Sequence, residues 1–355
     1  MTVLLIIAIV ALFGITLWQL SKIFKMSQTS ASGSDNQVAN DKDNKYNGYL
    51  MLAFVIFIYA ITIYCFIAYR DFYLPEAASE HGSEYDSLFF ITLVVIMITQ
   101  IITQFLVHYF AYKYKGKEGN RALFLADNDK LEFIWTITPV IVLSGLIFYG
   151  LYTWSDIMNI NDDDDPLVVE VYAYQFGWIV RYSGEDNTLG KANVRFIEGI
   201  NTVGIDETDT YAMDDVVARE LHLPVDRPVL FKFRSQDVLH SAYMPFFRAQ
   251  MNVVPGMITQ FKFTPTITSE EMRNSEFMVD KVRKLNKIRR ERSKELIADG
   301  QEGLDTYEFE YYLLCNKICG ISHYNMQIKI VVEPQEEFDA WMAKQTEFGK
   351  EIASK

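Results

Sequence analysis

Four apolar runs fill most of the first 153 positions of this 355-residue chain, at approximately Val3–Leu20, Leu50–Tyr69, Leu88–Phe110 and Phe133–Tyr152. Each is about as long as the roughly 20 residues a helix needs to cross hydrocarbon. Lipid offers no water to backbone amides, so such runs are confined to helices. Residues 1–154 are therefore expected to form a membrane domain of four transmembrane helices. The first run lacks a basic start and a clear small-residue cleavage site, and is read as a mature helix rather than a secretion signal.

Loop charge orients the spans. Loop 21–49 carries Lys22, Lys25, Lys42 and Lys45, and loop 111–132 carries Lys113, Lys115, Lys117, Arg121 and Lys130. Loop 71–87 beyond Arg70 has no Lys or Arg, only the acidic Asp71, Glu76, Glu80, Glu84 and Asp86 among its Asp, Glu, Lys and Arg positions. The positive-inside bias places the two basic loops in the cytoplasm and both termini outside. The expected location is a bacterial-type inner membrane, multi-pass, with the soluble part on the periplasmic side.

Residues 154–355 carry 34 acidic and 23 basic side chains, a balance that discourages nucleic acid and favours basic partners. After the acidic run Asp162–Asp165, read as a solvated linker, short β-branched and aromatic runs take over: LVVEVYAYQFGWIVRY, PVLFKFRS, MITQFKFTP, YEFEYYLLC and MQIKIVVEP. Turn residues separate them, as in a sandwich or small barrel. Tyr172, Tyr174, Phe176 and Trp178 alternate with smaller residues and read as one face of a strand. A helical insertion is expected at about 270–303. Its basic stretch, with eight Lys/Arg between Lys281 and Lys294, reads as a solvated face that could meet a partner or lipid headgroups. A C-terminal helix is expected within 335–355.

Chemistry concentrates in one segment, LLCNKICGISHYNM. Cys315, Cys319, His323 and Met326 offer two thiolates, an imidazole and a thioether. Such a soft set selects copper over oxygen-loving cations. Zinc suits Cys and His but takes Met poorly. A disulfide would suit an oxidising compartment yet explains neither His323 nor Met326. His240, in DVLHSAYMP, follows a β-run and is expected on a loop at a strand end, where it could complete the set. Asp237 would orient it or cap the turn. His81, His108 and His222 are read as surface or packed residues, and Cys65 as a small buried hydrophobe. Glu132 opens the fourth span, either as a helix-start carboxylate or as the entrance of a proton path.

With these residues in view, the chain resembles subunit II of the haem–copper cytochrome c oxidases over roughly Leu88 to Trp341. LEFIWTITP, YQFGWIVRY, DVLHSAYMP and LCNKICGISHYNM carry the resemblance. It implies a membrane-anchored all-β protein whose cupredoxin-like barrel, residues 155–334, holds a dinuclear copper A centre. Cys315 and Cys319 would bridge two copper ions, with His240, His323, Met326 and the backbone carbonyl of Lys317 completing the set. Electrons would arrive near Phe176 or Trp178, and Glu132 would open a proton path into subunit I. The implied partners are haem-bearing subunit I, subunit III, membrane lipid and a c-type cytochrome, free or in a neighbouring complex. The family's usual glutamate at position 317 is Lys here, so magnesium is not expected on this chain, and no CxxCH binds haem. Two readings compete: a membrane-tethered copper-binding or delivery module, and a quinol-oxidising relative, which usually lacks the copper ligands.

Overall fold

A computed structural model describes residues 2–31, 41–70, 73, 75–159 and 165–354. Asp162–Asp164, most of the expected acidic linker, lie outside them. Four helices come first: α1 (Thr2–Ala31), α2 (Asp41–Ala68), α3 (Gly82–Lys113) and α4 (Asp129–Met158). The last three have 28, 32 and 30 residues. At about 1.5 Å per residue they are longer than a hydrocarbon core of about 30 Å. Their large apolar side chains, such as Phe57, Phe89, Ile101 and Phe148, point outward. That arrangement suits lipid and not water. Among the described residues these three are long and apolar enough to span a membrane, and α1 contributes a shorter apolar stretch, Val10–Phe24.

Internal packing divides the chain into residues 1–67 with 96–129, and residues 68–95 with 130–355. In the first unit, the Tyr59 hydroxyl donates to the Ile101 carbonyl at 2.6 Å. His108 is buried, bonded through Nδ1 to the Gln104 carbonyl one helical turn back.

The second unit holds two five-stranded sheets. Its strands are β1 (Leu167–Tyr174), β2 (Gly177–Tyr182), β3 (Val216–Ala218), β4 (Leu221–Pro224), β5 (Val229–Ser235), β6 (His240–Met244), β7 (Ala249–Val253), β8 (Thr259–Phe263), β9 (Tyr311–Cys315) and β10 (Gln327–Glu333). One sheet runs β3-β2-β1-β5-β8, the other β4-β10-β9-β6-β7. Between them lies an aromatic core in which Phe263 stacks on Phe231 and Phe247 at 5.0 and 5.1 Å. Tyr311 meets Phe247 at 4.8 Å and Phe309 at 5.2 Å.

The expected single strand through Trp178 is instead a hairpin. Tyr174 pairs with Gly177 and Ala173 with Trp178, so the chain reverses at Gln175–Phe176. A strand-like alternation can run through a two-residue turn, and that is why the pattern misled. β1 is central, parallel to β5, and buried on both faces. Val169, Val171 and Ala173 face the aromatic core. Tyr172 joins a second cluster with Ile179, Val203, Ile205, Ala212 and Phe348.

That second face also buries charge. Glu170 accepts from Arg234 Nε at 2.6 Å and lies 2.8 Å from Arg181 Nε, while Arg181 Nη1 reaches Asp215 at 3.1 Å. Burial alone would raise the Glu170 carboxyl, but the two guanidiniums outweigh it and hold it below the usual range.

Helices complete the unit. α5 (Ser269–Asn274) and α6 (Glu276–Ala298) form the expected insertion. The C-terminal segment forms two short helices, α7 (Gln335–Met342) and α8 (Phe348–Ala353), where one was expected. Glu347 forms a bridge with Val216 on the β3 edge, and that contact interrupts the helix.

Asp215 yields a pH prediction. Burial pushes its carboxyl up to about 7, against the pull of Arg181 and the Gly190 N–H. The native state therefore holds a proton that the unfolded chain releases near 4. The associated stability is complete below about pH 4 and is lost as pH rises through about 7. Against Asp215→Asn, the wild-type chain in detergent should lose stability across that window in chemical denaturation. Parallel profiles would contradict this.

Candidate metal centre

The centre is assembled by strand pairing. β6 and β9 lie antiparallel, with Ala242 opposite Cys315. His240, expected on a loop, is the first residue of β6 and is fully buried. Cys315 ends β9, and the chain loops through residues 316–326 before β10 begins. Backbone bonds fix that loop: the Cys315 N–H donates to the Met326 carbonyl, and the Asn316 N–H to the Ser241 carbonyl, both at 3.0 Å.

The loop gathers the soft donors. The two sulfurs stand 3.8 Å apart, too far for a disulfide bond of about 2.05 Å, and both cysteines are free. His240 Nδ1 lies 3.8 Å from Cys315 Sγ, and His323 Nδ1 lies 3.7 Å from Cys319 Sγ. Met326 Sδ is 3.7 Å from Cys319 Sγ, and the Lys317 carbonyl oxygen is 3.2 Å from Cys315 Sγ. Ligand atoms of His240, Cys315 and Cys319 fall within 4.8 Å of one another. The two histidines therefore face different sulfurs. Two imidazoles, each against its own sulfur of a thiol pair, plus a thioether and a carbonyl, match the donor chemistry of copper. Burial, reinforced by neighbouring Cys315, pushes the Cys319 thiol up to about 11. A cation at the pair would reverse that balance, because metal binding releases thiol protons.

Supporting residues were less visible in the sequence. Asp237 both orients and caps: its Oδ1 accepts from His240 Nε2 at 2.9 Å and from the Val238 N–H at 2.7 Å. Its Oδ2 accepts from the Gln175 N–H at 2.7 Å. Burial works to raise this carboxyl, yet the His240 and backbone hydrogen bonds prevail and hold it low. With Nε2 acting as donor, His240 presents Nδ1 as a free lone pair to the sulfurs. Gln175 also donates from Nε2 to the Cys319 carbonyl, linking the β1–β2 hairpin to the metal loop. Nothing in the run YQFGW marks that glutamine. Gly320, at φ +147°, was signalled only by being a glycine in a tight loop. A Cβ there would come within 2.7 Å of the Phe176 ring.

The remaining predicted positions are not part of the donor set, though Trp178 and Phe176 border it. Trp178 is only 4% exposed, edge-on to His240 with ring centroids 6.1 Å apart. Phe176 is half-buried at the hairpin tip, and the Lys317 side chain is exposed. Glu132 is exposed in the first turn of α4. His222 stacks on Trp341 at 4.0 Å between Glu333 and Glu220. His81 packs edge-on against Phe261 at 5.6 Å, and burial lowers its pKa.

Known proteins resemble this chain in sequence. A family described as cytochrome c oxidase subunit II, transmembrane domain, matches residues 68–153. An alternative cytochrome c oxidase subunit 2 from Bradyrhizobium diazoefficiens is 30% identical over 242 residues, covering 68% of this chain and 72% of that protein. The chain belongs to the cytochrome c oxidase subunit II family. Membership makes it a membrane-anchored subunit of an oxidoreductase complex. A probable quinol oxidase subunit 2 from Staphylococcus epidermidis is 26% identical over 174 residues, 47% of this chain and 38% of that one. Among solved structures, the periplasmic domain of subunit II of cytochrome oxidase from Bradyrhizobium japonicum overlaps at 17% identity with a TM-score of 0.29. That overlap covers 50% of this chain and 91% of the other.

Asp237→Asn should weaken copper affinity about 10- to 100-fold, as loss of such a supporting partner generally does. Competition titration against a copper chelator measures this, and an unchanged affinity would contradict the orienting role.

Proposed function

We propose that this chain is the electron-transfer subunit of a respiratory cytochrome c oxidase, taking electrons from a c-type cytochrome and delivering them to haem in subunit I. The observation that carries this reading is the placement of His240 and His323 against different sulfurs of the Cys315/Cys319 pair. Those four side chains, with Met326 and the Lys317 carbonyl, would hold two copper ions. When bound, a copper pair supplies a one-electron redox site whose charge is spread over both metals and the thiolates.

The chain's own residues prepare that site. Asp237 holds His240 in one tautomer. Trp178, edge-on to His240, and Met326, 3.7 Å from Cys319 Sγ, are both buried and keep water from that side. Gln175 and the Asn316–Ser241 bond fix the loop before any ion arrives, so little would have to move on electron transfer. The loop's outer surface differs in character: Ile318, Ile321 and Tyr324 are 86–90% exposed. Apolar residues clustered round a redox site suit docking of a protein. Phe176, against Gly320 at the hairpin tip, would pass electrons inward. The acidic domain would attract a basic donor, and Glu132 would begin a proton path into subunit I. By this reading the domain lies on the periplasmic side, beside subunits I and III. Magnesium is not part of the proposal, because position 317 offers an ammonium where a carboxylate ligand would be needed.

The quinol-oxidising alternative is disfavoured by the intact soft-donor set, and the copper-delivery alternative by family membership that extends through the membrane helices. In the assembled oxidase, Cys319→Ser should abolish oxygen reduction driven by reduced cytochrome c. Retained turnover with a quinol donor would sink the proposal. Wild-type turnover with a basic cytochrome should fall as ionic strength rises, since screening removes the attraction. A flat profile would argue against electrostatic docking.

A further inference from the structure

α6 reverses the charge of its domain. It carries eight basic and four acidic side chains, whereas the rest of residues 154–355 carries 15 basic and 30 acidic. One flank is occupied: Met278 is buried and Val282 packs on the main core. The returning segment 304–309 straps the same flank. Asn286 exchanges two bonds with Tyr307, Arg289 donates to the Asp305 carbonyl, and Ser293 accepts from the Leu304 N–H. The other flanks are open, with Ile288 59% exposed among Lys284, Lys287, Arg290 and Arg292. Lys287 and Arg290 have no ion-pair partner among the described residues. The pairs Arg283–Asp280, Arg292–Glu295 and Lys294–Glu291 are exposed, so they bind these charges only weakly.

The root of this helix adjoins the chain's approach to the bilayer. The Phe246 ring meets Phe309 at 5.1 Å, and the Phe309 carbonyl accepts from Arg273 of α5. The Phe246 carbonyl also accepts from the Ala78 N–H at 2.8 Å, and Ser79 forms a bridge with Pro265 just ahead of α5. α3 begins at Gly82, and its apolar run starts near Leu88, about 9 Å further along the helix. The α5–α6 root thus lies near headgroup level.

We propose that α6 is a brace against the membrane surface whose ligand is anionic phospholipid headgroups, with Ile288 inserted between them. An acidic domain beside an anionic leaflet is repelled, and a basic helix rooted beside the start of α3 would supply the opposing attraction. Each Lys or Arg near such a surface favours contact by about fivefold.

The test uses the full chain in nanodiscs of phosphatidylcholine, alone or mixed with phosphatidylglycerol, and acetylation of lysines read by mass spectrometry. With phosphatidylglycerol, Lys284 and Lys287 should react about fivefold more slowly, while Lys191 and Lys344 are unchanged. High salt should remove the difference. The variant Lys284→Glu/Lys287→Glu/Arg290→Glu should lose all lipid dependence at Lys281 while retaining its copper. Equal rates in both lipids would overturn the proposal. So would protection that appears only when other oxidase subunits are added, which would assign the face to a protein.

Discussion

The antiparallel pairing of β6 with β9 is the constraint on which the site depends. It sets Ala242 opposite Cys315 and so brings His240 to a sulfur 75 residues later in the chain. A shift of one residue would turn His240 to the other face of its sheet. The register is held by burial: Ala242 and Met244 lie in the aromatic core, and Leu313 faces the same core from β9. The core therefore positions the donors as well as stabilising the fold.

Much of this was legible in the sequence because the strongest signals are local. Apolar length announced α2, α3 and α4, and soft-donor spacing announced the Cys315–Met326 loop. His240 could be nominated but not placed, since its strand β6 is short and carries no clear alternation. β3, β4 and β7 were missed for the same reason: strands of three to five residues are defined by their neighbours. The hairpin at Gln175–Phe176 was hidden because aromatic residues alternate across it. Gln175 and Ser241 act through backbone partners distant in sequence, so no motif reveals them.

Polar burial is concentrated on the face of β1 opposite the aromatic core. Glu170, Arg181, Arg234 and Asp215 form a connected set beneath the 190–215 segment and α8. Burying such charges costs solvation that their mutual attraction only partly offsets. The set fixes how the long connection from β2 to β3 lies on the sheet. In the same unit, backbone bonds tie down the 316–326 loop where its soft donors sit, while Ile318, Ile321 and Tyr324 of that loop face solvent.

The measurement that tests the account most directly is copper content with electron paramagnetic resonance on the purified full chain. Two copper ions per chain and a spectrum from one electron shared equally between them are predicted. One copper per chain, or a signal from an isolated copper ion, would contradict a paired centre built on Cys315, Cys319, His240 and His323.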